Sequence, residues 1–130
     1  MSVKTYSQAF SEIPWLPVSR IVSVPQRGEF FVRYAQHENP SAPVVVLLHG
    51  WTGNADINFF PVYAELAQQY SLVAIDHRGH GRGLRTNERF TLEDCADDVV
   101  AIMDQLGISS VTAVGYSMGG PIAMLMSKRH

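Results

Sequence analysis

Continuous apolar runs recur along the chain and are separated by stretches of mixed polarity. Runs of aliphatic residues predict short strands that are buried on both faces of a sheet. These runs are Val44–Leu48, Leu72–Ile75 and Val111–Val114. Two earlier segments, Arg20–Val24 and Glu29–Tyr34, are also predicted strands, because a turn from Pro25 to Gly28 divides them.

Between these strands, apolar positions recur at the period of an α-helix. One helix is predicted over residues 59–70 and another over Pro121–Lys128. A third is predicted to begin after a cap at Thr91 and to end at Gly107. Short buried strands that alternate with helices predict an α/β protein. We expect a three-layer sandwich with a mostly parallel sheet and helices on both faces.

The acidic residues at the start of the Thr91 helix are expected to lie on its solvent face. Asp94, Asp97 and Asp98 occupy its first turns, where negative charge suits the helix dipole. The single cysteine, Cys95, is expected to be a small core residue.

Composition and charge exclude several classes of protein. Hydrophobic residues make up 46% of the chain and charged residues 17%, as in ordinary globular proteins, and the net charge of −2 gives no sign of a nucleic-acid partner. One cysteine excludes an internal disulfide, and no spacing predicts a metal or cofactor site. Neither a membrane span nor a secretory signal is recognisable, so we expect a cytoplasmic protein.

Glycine-rich segments follow each of the three buried strands: His49–Gly53, Asp76–Gly81 and Gly115–Gly120. Ligand sites in parallel sheets lie at the carboxyl ends of the strands, so these segments are expected to share one edge. In Gly-Tyr-Ser-Met-Gly, a sharp strand-to-helix turn would expose Ser117, and glycines at 115 and 119 would remove side chains that clash.

Together these segments resemble the α/β-hydrolase family, over about residues 19–130. The resemblance implies a serine hydrolase that acts on a small-molecule substrate, most simply a carboxylic ester, with Ser117 as nucleophile. It also implies that the backbone N–H groups of Trp51 and Met118 stabilise the oxyanion. The side chains of His49 and Asp76 are then expected to be structural, as are those of Arg78 and His80.

The resemblance further implies a catalytic acid and a histidine later in the chain, and neither is present. After Ser117 the ionisable residues are Lys128, Arg129 and His130, and His130 would lie more than two helical turns beyond the serine. We therefore expect an N-terminal segment over residues 1–18. Residues 19–130 would form the N-terminal half of a hydrolase domain, truncated after the helix that follows the serine.

Two explanations stay open. The chain is either a fragment of a longer enzyme, inactive by itself, or an interaction module that keeps the scaffold of a hydrolase. Under the first explanation we also expect the edge of Val111–Val114 to be unpaired, which would favour self-association.

Overall fold

The structure, a computed structural model, describes residues 15–130, so most of the predicted N-terminal segment over residues 1–18 lies outside the described residues. Within that range five strands form a sheet in the order β1-β2-β4-β3-β5. They are β1 (Val18–Val24), β2 (Gly28–Ala35), β3 (Val44–Leu48), β4 (Ser71–Ile75) and β5 (Thr112–Gly115). β3 pairs in parallel with β4 and β5, and β2 is antiparallel to both β1 and β4.

Helices cover both faces of this sheet, as predicted. In the described range they are α1 (Ala55–Phe59), α2 (Tyr63–Ala67), α3 (Leu92–Gln105) and α4 (Gly119–Arg129). Successive side chains of a strand point to opposite faces. Val46 and Leu48 of β3 pack in one buried cluster with α3 and α4, whereas Val45 and Leu47 pack in a second cluster with α1 and α2. The predicted three-layer α/β arrangement is therefore confirmed.

The turn of the N-terminal hairpin explains its register. The N–H of Arg27 donates to the carbonyl oxygen of Val24 at 3.1 Å, and Gln26 has a φ of +67°. Pro25 and Gln26 are the second and third residues of this turn, and proline favours the second position of a turn whose third residue has a positive φ. The hairpin places β2 against β4, which adds an antiparallel side to the parallel strands.

The prediction of a single helix over residues 59–70 is wrong. α1 begins earlier, at Ala55, because the side chain of Asn54 accepts a hydrogen bond from the N–H of Ile57 at 2.9 Å. A 3₁₀ turn over Phe60–Val62 then separates α1 from α2. Pro61 lies in that turn, and its missing N–H prevents a continuous helix.

The helix after Thr91 forms as predicted. The hydroxyl oxygen of Thr91 accepts a hydrogen bond from the N–H of Asp94 at 3.1 Å, and the chain leaves α3 through Gly107 with a φ of +72°. Cys95 is fully buried in the core, as expected, and burial raises the pKa of its thiol to about 12.

The expectation that Asp98 faces solvent is wrong. Its side chain is buried and accepts hydrogen bonds from two arginines. Arg78 Nε and Nη2 donate to its two carboxylate oxygens at 2.7 and 2.9 Å, and Arg27 Nε donates at 2.8 Å. The hydrogen bond with Asp98 raises the pKa of Arg78. This ion cluster joins the hairpin turn, the loop after β4 and α3.

β5 lies at the edge of the sheet. Within the described residues it pairs only with β3, which leaves the other edge free, as predicted. The prediction that this strand is buried on both faces is wrong, since Val114 is 43% exposed. No helix among residues 15–130 has the length and apolarity needed to cross a membrane.

Replacing Asp98 with alanine should destabilise the fold strongly. Asp98→Ala leaves two arginines without their carboxylate, and loss of one partner of a buried ion pair costs about 3–5 kcal/mol. Urea unfolding, followed by circular dichroism, measures the change. Asp104→Ala is the matched control: Asp104 is an exposed aspartate of α3, and its removal should change stability by no more than about 0.5 kcal/mol. Equal losses in both variants would contradict this account of the cluster.

Candidate active site

Ser117 occupies a strained turn between β5 and α4. Its φ is +52°, a left-handed value that is uncommon for residues other than glycine, and its side chain is exposed. The turn is fixed to the end of β3, because the N–H of Tyr116 donates to the carbonyl oxygen of Leu48 at 3.0 Å. The serine is therefore presented at the carboxyl edge of the parallel strands, where the sequence predicted it.

The two glycines around Ser117 are required by backbone contact. A Cβ atom at Gly115 would overlap the carbonyl oxygen of Gly119, and one at Gly119 would overlap that of Leu48. A Cβ atom at Gly120 would meet nothing within 4 Å. The steric explanation for the glycines at 115 and 119 is thus confirmed.

The loop after β3 lies beside the serine. A Cβ atom built on Gly50 would be 3.1 Å from Ser117 Cβ and 3.1 Å from Tyr116 Cδ1. Trp51 follows directly and is 61% exposed, while Met118 precedes the first residue of α4. Among residues 15–130, the N–H groups of Trp51 and Met118 donate to no other group. The structure thus brings the segments of all three predicted site residues together, and their roles stay predictions.

Within the described range, no side chain is hydrogen-bonded to Ser117 Oγ. His130, at the far end of α4, has its Nε2 2.9 Å from Asp97 Oδ1, and Arg129 donates to the same carboxylate at 2.7 and 2.9 Å. Asp97 and His130 therefore pair with each other and not with the serine. This agrees with the expectation that His130 is not the base.

His49 has the structural contacts that the resemblance implied. It is fully buried, and its Nε2 accepts a hydrogen bond from the N–H of His77 at 2.9 Å. Its Nδ1 therefore carries the proton and donates to the carbonyl oxygen of Gly50 at 2.7 Å. Burial holds the pKa of His49 below its ordinary value, so the ring is neutral.

Asp76 also organises the backbone. The carboxylate is fully buried and accepts hydrogen bonds from the N–H groups of Ala55 and Arg82, both at 2.9 Å. These bonds tie the loop after β4 to the start of α1. These contacts agree with the structural role that the resemblance implied for Asp76.

His80 packs with the exposed Trp51 and the half-buried Phe90 beside the loop after β3. The His80 ring is 5.1 Å from the Trp51 ring and 5.6 Å from the Phe90 ring, and Trp51 is 5.5 Å from Phe90. Phe90 was not among the predicted site residues. In residues 15–130, no group of three or more His, Cys, Asp or Glu side chains could hold a metal ion.

Asn58 of α1 was also missed. Its Oδ1 accepts a hydrogen bond from the N–H of Gly50 at 2.9 Å, beside the serine. The sequence did carry one signal for Asn58: its polar amide side chain stands between Ile57 and Phe59, in a segment rich in apolar residues.

His77, in the loop after β4, has a strongly lowered pKa. It is buried, and its Nε2 has no hydrogen-bond partner among the described residues. Its ring centroid lies 4.3 Å from that of His49. Burial, and then the nearby His49 and His80, lowers the pKa of His77 to about 3. The fold therefore holds this imidazole neutral over the whole physiological range.

The two glycines 119 and 120 should respond oppositely to alanine. Gly119→Ala forces a methyl group into backbone, and such overpacking costs about 3 kcal/mol. Gly120→Ala adds a better helix former in open space and should raise the unfolding free energy by about 0.5–1 kcal/mol. Urea unfolding of the two variants tests this. Similar effects at both positions would argue against the close contact of Gly119 with β3.

His77 should make the fold less stable in acid. Its folded pKa of about 3 lies below the ordinary value of 6.5, so the unfolded chain binds more protons between these values. The contribution is complete above pH 6.5 and is lost as the pH falls towards 3. Unfolding free energies measured from pH 7 to pH 4 should therefore fall less in His77→Leu than in the unaltered chain. An unchanged pH dependence would contradict a neutral, buried His77.

Comparison with known proteins agrees with this geometry. Residues 43–130 match the sequence model of the family described as alpha/beta hydrolase fold. The chain is 36% identical over 101 residues to a Caulobacter vibrioides (strain NA1000 / CB15N) protein named "Putative carbamate hydrolase RutD". The aligned region covers 76% of this chain and 38% of that protein. It is also 35% identical over 79 residues to the bifunctional esterase/perhydrolase DCH of Acinetobacter calcoaceticus, and this aligned region covers 61% of this chain and 29% of that protein.

Solved structures share the same arrangement. The enol-lactonase from Burkholderia xenovorans LB400 superposes with a TM-score of 0.77 at 27% identity, over 85% of this chain and 42% of that one. The chain thus spans well under half the length of the relatives it matches. With the family match covering residues 43–130, the chain belongs to the α/β-hydrolase fold family.

Proposed function

We propose that this chain supplies the nucleophile and the oxyanion-binding backbone of a serine hydrolase that cleaves carboxylic esters. Ser117 Oγ attacks the carbonyl carbon of the substrate. The negative charge that develops on the carbonyl oxygen is stabilised by the N–H groups of Trp51 and Met118.

The left-handed turn at Ser117 is the observation that carries this proposal. A φ of +52° at a serine, between a strand and a helix, is costly and persists only where the surrounding structure enforces it. Here the enforcement comes from Gly115 and Gly119, which pack against backbone. Such strain in a residue of the turn lifts the hydroxyl above the sheet, where a substrate can reach it.

The environment of the serine also supports attack on a carbonyl group. Ser117 lies at the start of α4, whose N-terminal N–H groups favour negative charge. The names of three similar proteins refer to carbamates, esters and an enol-lactone, which all contain a carbonyl carbon joined to a heteroatom leaving group. A single nucleophile with two backbone donors suits this shared chemistry.

Activation of the hydroxyl needs a base, and the described residues place none on Ser117 Oγ. A serine hydroxyl is a weak nucleophile until a neighbouring base takes its proton. We infer that the 130-residue chain is inert by itself, and that catalysis requires an acid and a histidine from additional polypeptide. Loss of the base in a catalytic triad costs up to about a millionfold in turnover.

A second function, that of an interaction module, is favoured by the free edge of β5. Val114 is 43% exposed and Met124 of the adjacent α4 is 74% exposed. Unpaired N–H and C=O groups beside exposed apolar side chains are suited to strand addition, including self-association. This function would need no reaction at Ser117.

Labelling with a fluorophosphonate probe separates the two functions. Any longer form of the protein that contains the acid and histidine should be labelled, and Ser117→Ala should abolish the label. The 130-residue chain should be labelled no faster than free serine. Ser109→Ala is the control, since Ser109 is an exposed serine just before the amino end of β5, whereas Ser117 follows its carboxyl end. Label that survives Ser117→Ala would refute the proposed nucleophile.

A further inference from the structure

The peptide units on the two sides of Gly50 are both held by hydrogen bonds to side chains. The N–H of Gly50 donates to Asn58 Oδ1 at 2.9 Å. The carbonyl oxygen of Gly50 accepts from His49 Nδ1 at 2.7 Å and from the N–H of Gly53 at 3.3 Å. Both polar groups of one glycine are therefore fixed by side chains from two different elements.

Fixing this carbonyl group also fixes a donor. No peptide bond in residues 15–130 is cis, and in a trans peptide the C=O of one residue and the N–H of the next point in opposite directions. The orientation of the Gly50 carbonyl therefore sets the orientation of the Trp51 N–H. That N–H group lies in the segment that packs against Ser117 and Tyr116.

Asn58 is anchored well enough to hold the loop. It belongs to α1, whose first N–H, at Ala55, is bound by Asp76. Asp56 of the same helix receives two hydrogen bonds from Arg33 of β2, at 2.8 and 2.9 Å. The Asn58 amide also lies beside the turn, since a Cβ atom on Gly53 would come within 3.0 Å of its Oδ1. The helix thus carries a rigid acceptor to the Gly50 N–H.

The tautomer of His49 is fixed from the other side. Its Nε2 accepts from the N–H of His77 and must therefore be unprotonated, which leaves the proton on Nδ1 for the Gly50 carbonyl. The ionisable groups that face His49 are the rings of His77 and His80 and the carboxylate of Asp76. A second proton on His49 would break the hydrogen bond with the His77 backbone.

We propose that Asn58 and His49 are positioning residues: Asn58 holds the His49–Gly50 peptide and His49 holds the Gly50–Trp51 peptide, so that the Trp51 N–H faces the oxygen that becomes negative during attack by Ser117. The proposal rests on the proposed function, because it assigns these side chains to the oxyanion site. Neither side chain touches the substrate. Each restricts a backbone rotation of the loop around Gly50. The Trp51 N–H donor is therefore oriented before the reaction begins.

The first test uses the 130-residue chain and nuclear magnetic resonance. His49 should be the Nδ1-protonated tautomer. The Trp51 amide resonance should shift, and its hydrogen exchange should quicken, in Asn58→Ala. Asn58→Asp keeps an acceptor oxygen and should restore both. Ile57→Ala changes the exposed neighbouring residue of α1 and should leave them unaltered. An Nε2-protonated His49, or a Trp51 amide insensitive to Asn58→Ala, would overturn the proposal.

The second test uses whichever form of the protein is labelled at Ser117. Asn58→Ala should lower kcat about 10–100-fold with little change in KM, since removing an oxyanion donor outright costs about 10²–10³-fold. Asn58→Asp should recover most of this loss. If Ser117 reacts in no form of the protein, the proposed function fails while the resonance data still decide the geometry. If Ser117 reacts equally fast in Asn58→Ala, this inference fails and the nucleophile stands.

If Asn58→Ala does not fold, two measurements still decide the question. The His49 tautomer is measured in the unaltered chain, and Asn58→Asp retains the hydrogen-bond acceptor. A folded Asn58→Asp variant with an unperturbed Trp51 amide is the expected result. A perturbed amide in that variant would show that the acceptor oxygen is not what orients the loop.

Discussion

Backbone packs directly against backbone where the turn after β5 meets the end of β3. Gly119 lies against the carbonyl oxygen of Leu48, and Gly115 lies against that of Gly119, with no space for a side chain at either position. The hydrogen bond from Tyr116 N–H to the Leu48 carbonyl closes the same contact. Ser117 is held in its left-handed conformation by these neighbours, and the site exists only while the contact is maintained.

Polar groups behind the serine extend this constraint into the adjacent loops. Asp76 connects the loop after β4 to α1, and Asn58 connects α1 to Gly50. His49 completes the connection between the backbone of His77 and the Gly50 carbonyl. In each of these hydrogen bonds the partner group has a fixed position. The loops that form the site are thereby held as rigidly as the sheet beneath them.

Local patterns in the sequence were sufficient for most of the fold. Continuous aliphatic runs located β3 and β4, the cap at Thr91 located α3, and Gly-x-Ser-x-Gly located the turn at Ser117. Each of these signals lies within a few neighbouring residues. The break of α1 and α2 at Pro61 was also local, but helical periodicity outweighed it in the prediction.

The features that escaped prediction depend on how the elements pack against one another. Asp98 resembles any other acid in the first turns of a helix, and its burial depends on Arg27 and Arg78, which are far away in the chain. Asn58 likewise becomes meaningful only when α1 lies under the loop at Gly50. A single sequence records side-chain type and local spacing, whereas these two pairings arise when the helices pack against the loops.

The strand order also has a consequence for the speed of folding. β1 and β2 pair across a tight turn, whereas β3 must pair Val45 with Thr112 of β5. Each of the other pairings closes a long loop, so its entropic cost is met before any contact is gained. The nucleophile turn is built on the pairing of β3 with β5, so the serine reaches its strained geometry only after that long loop has closed.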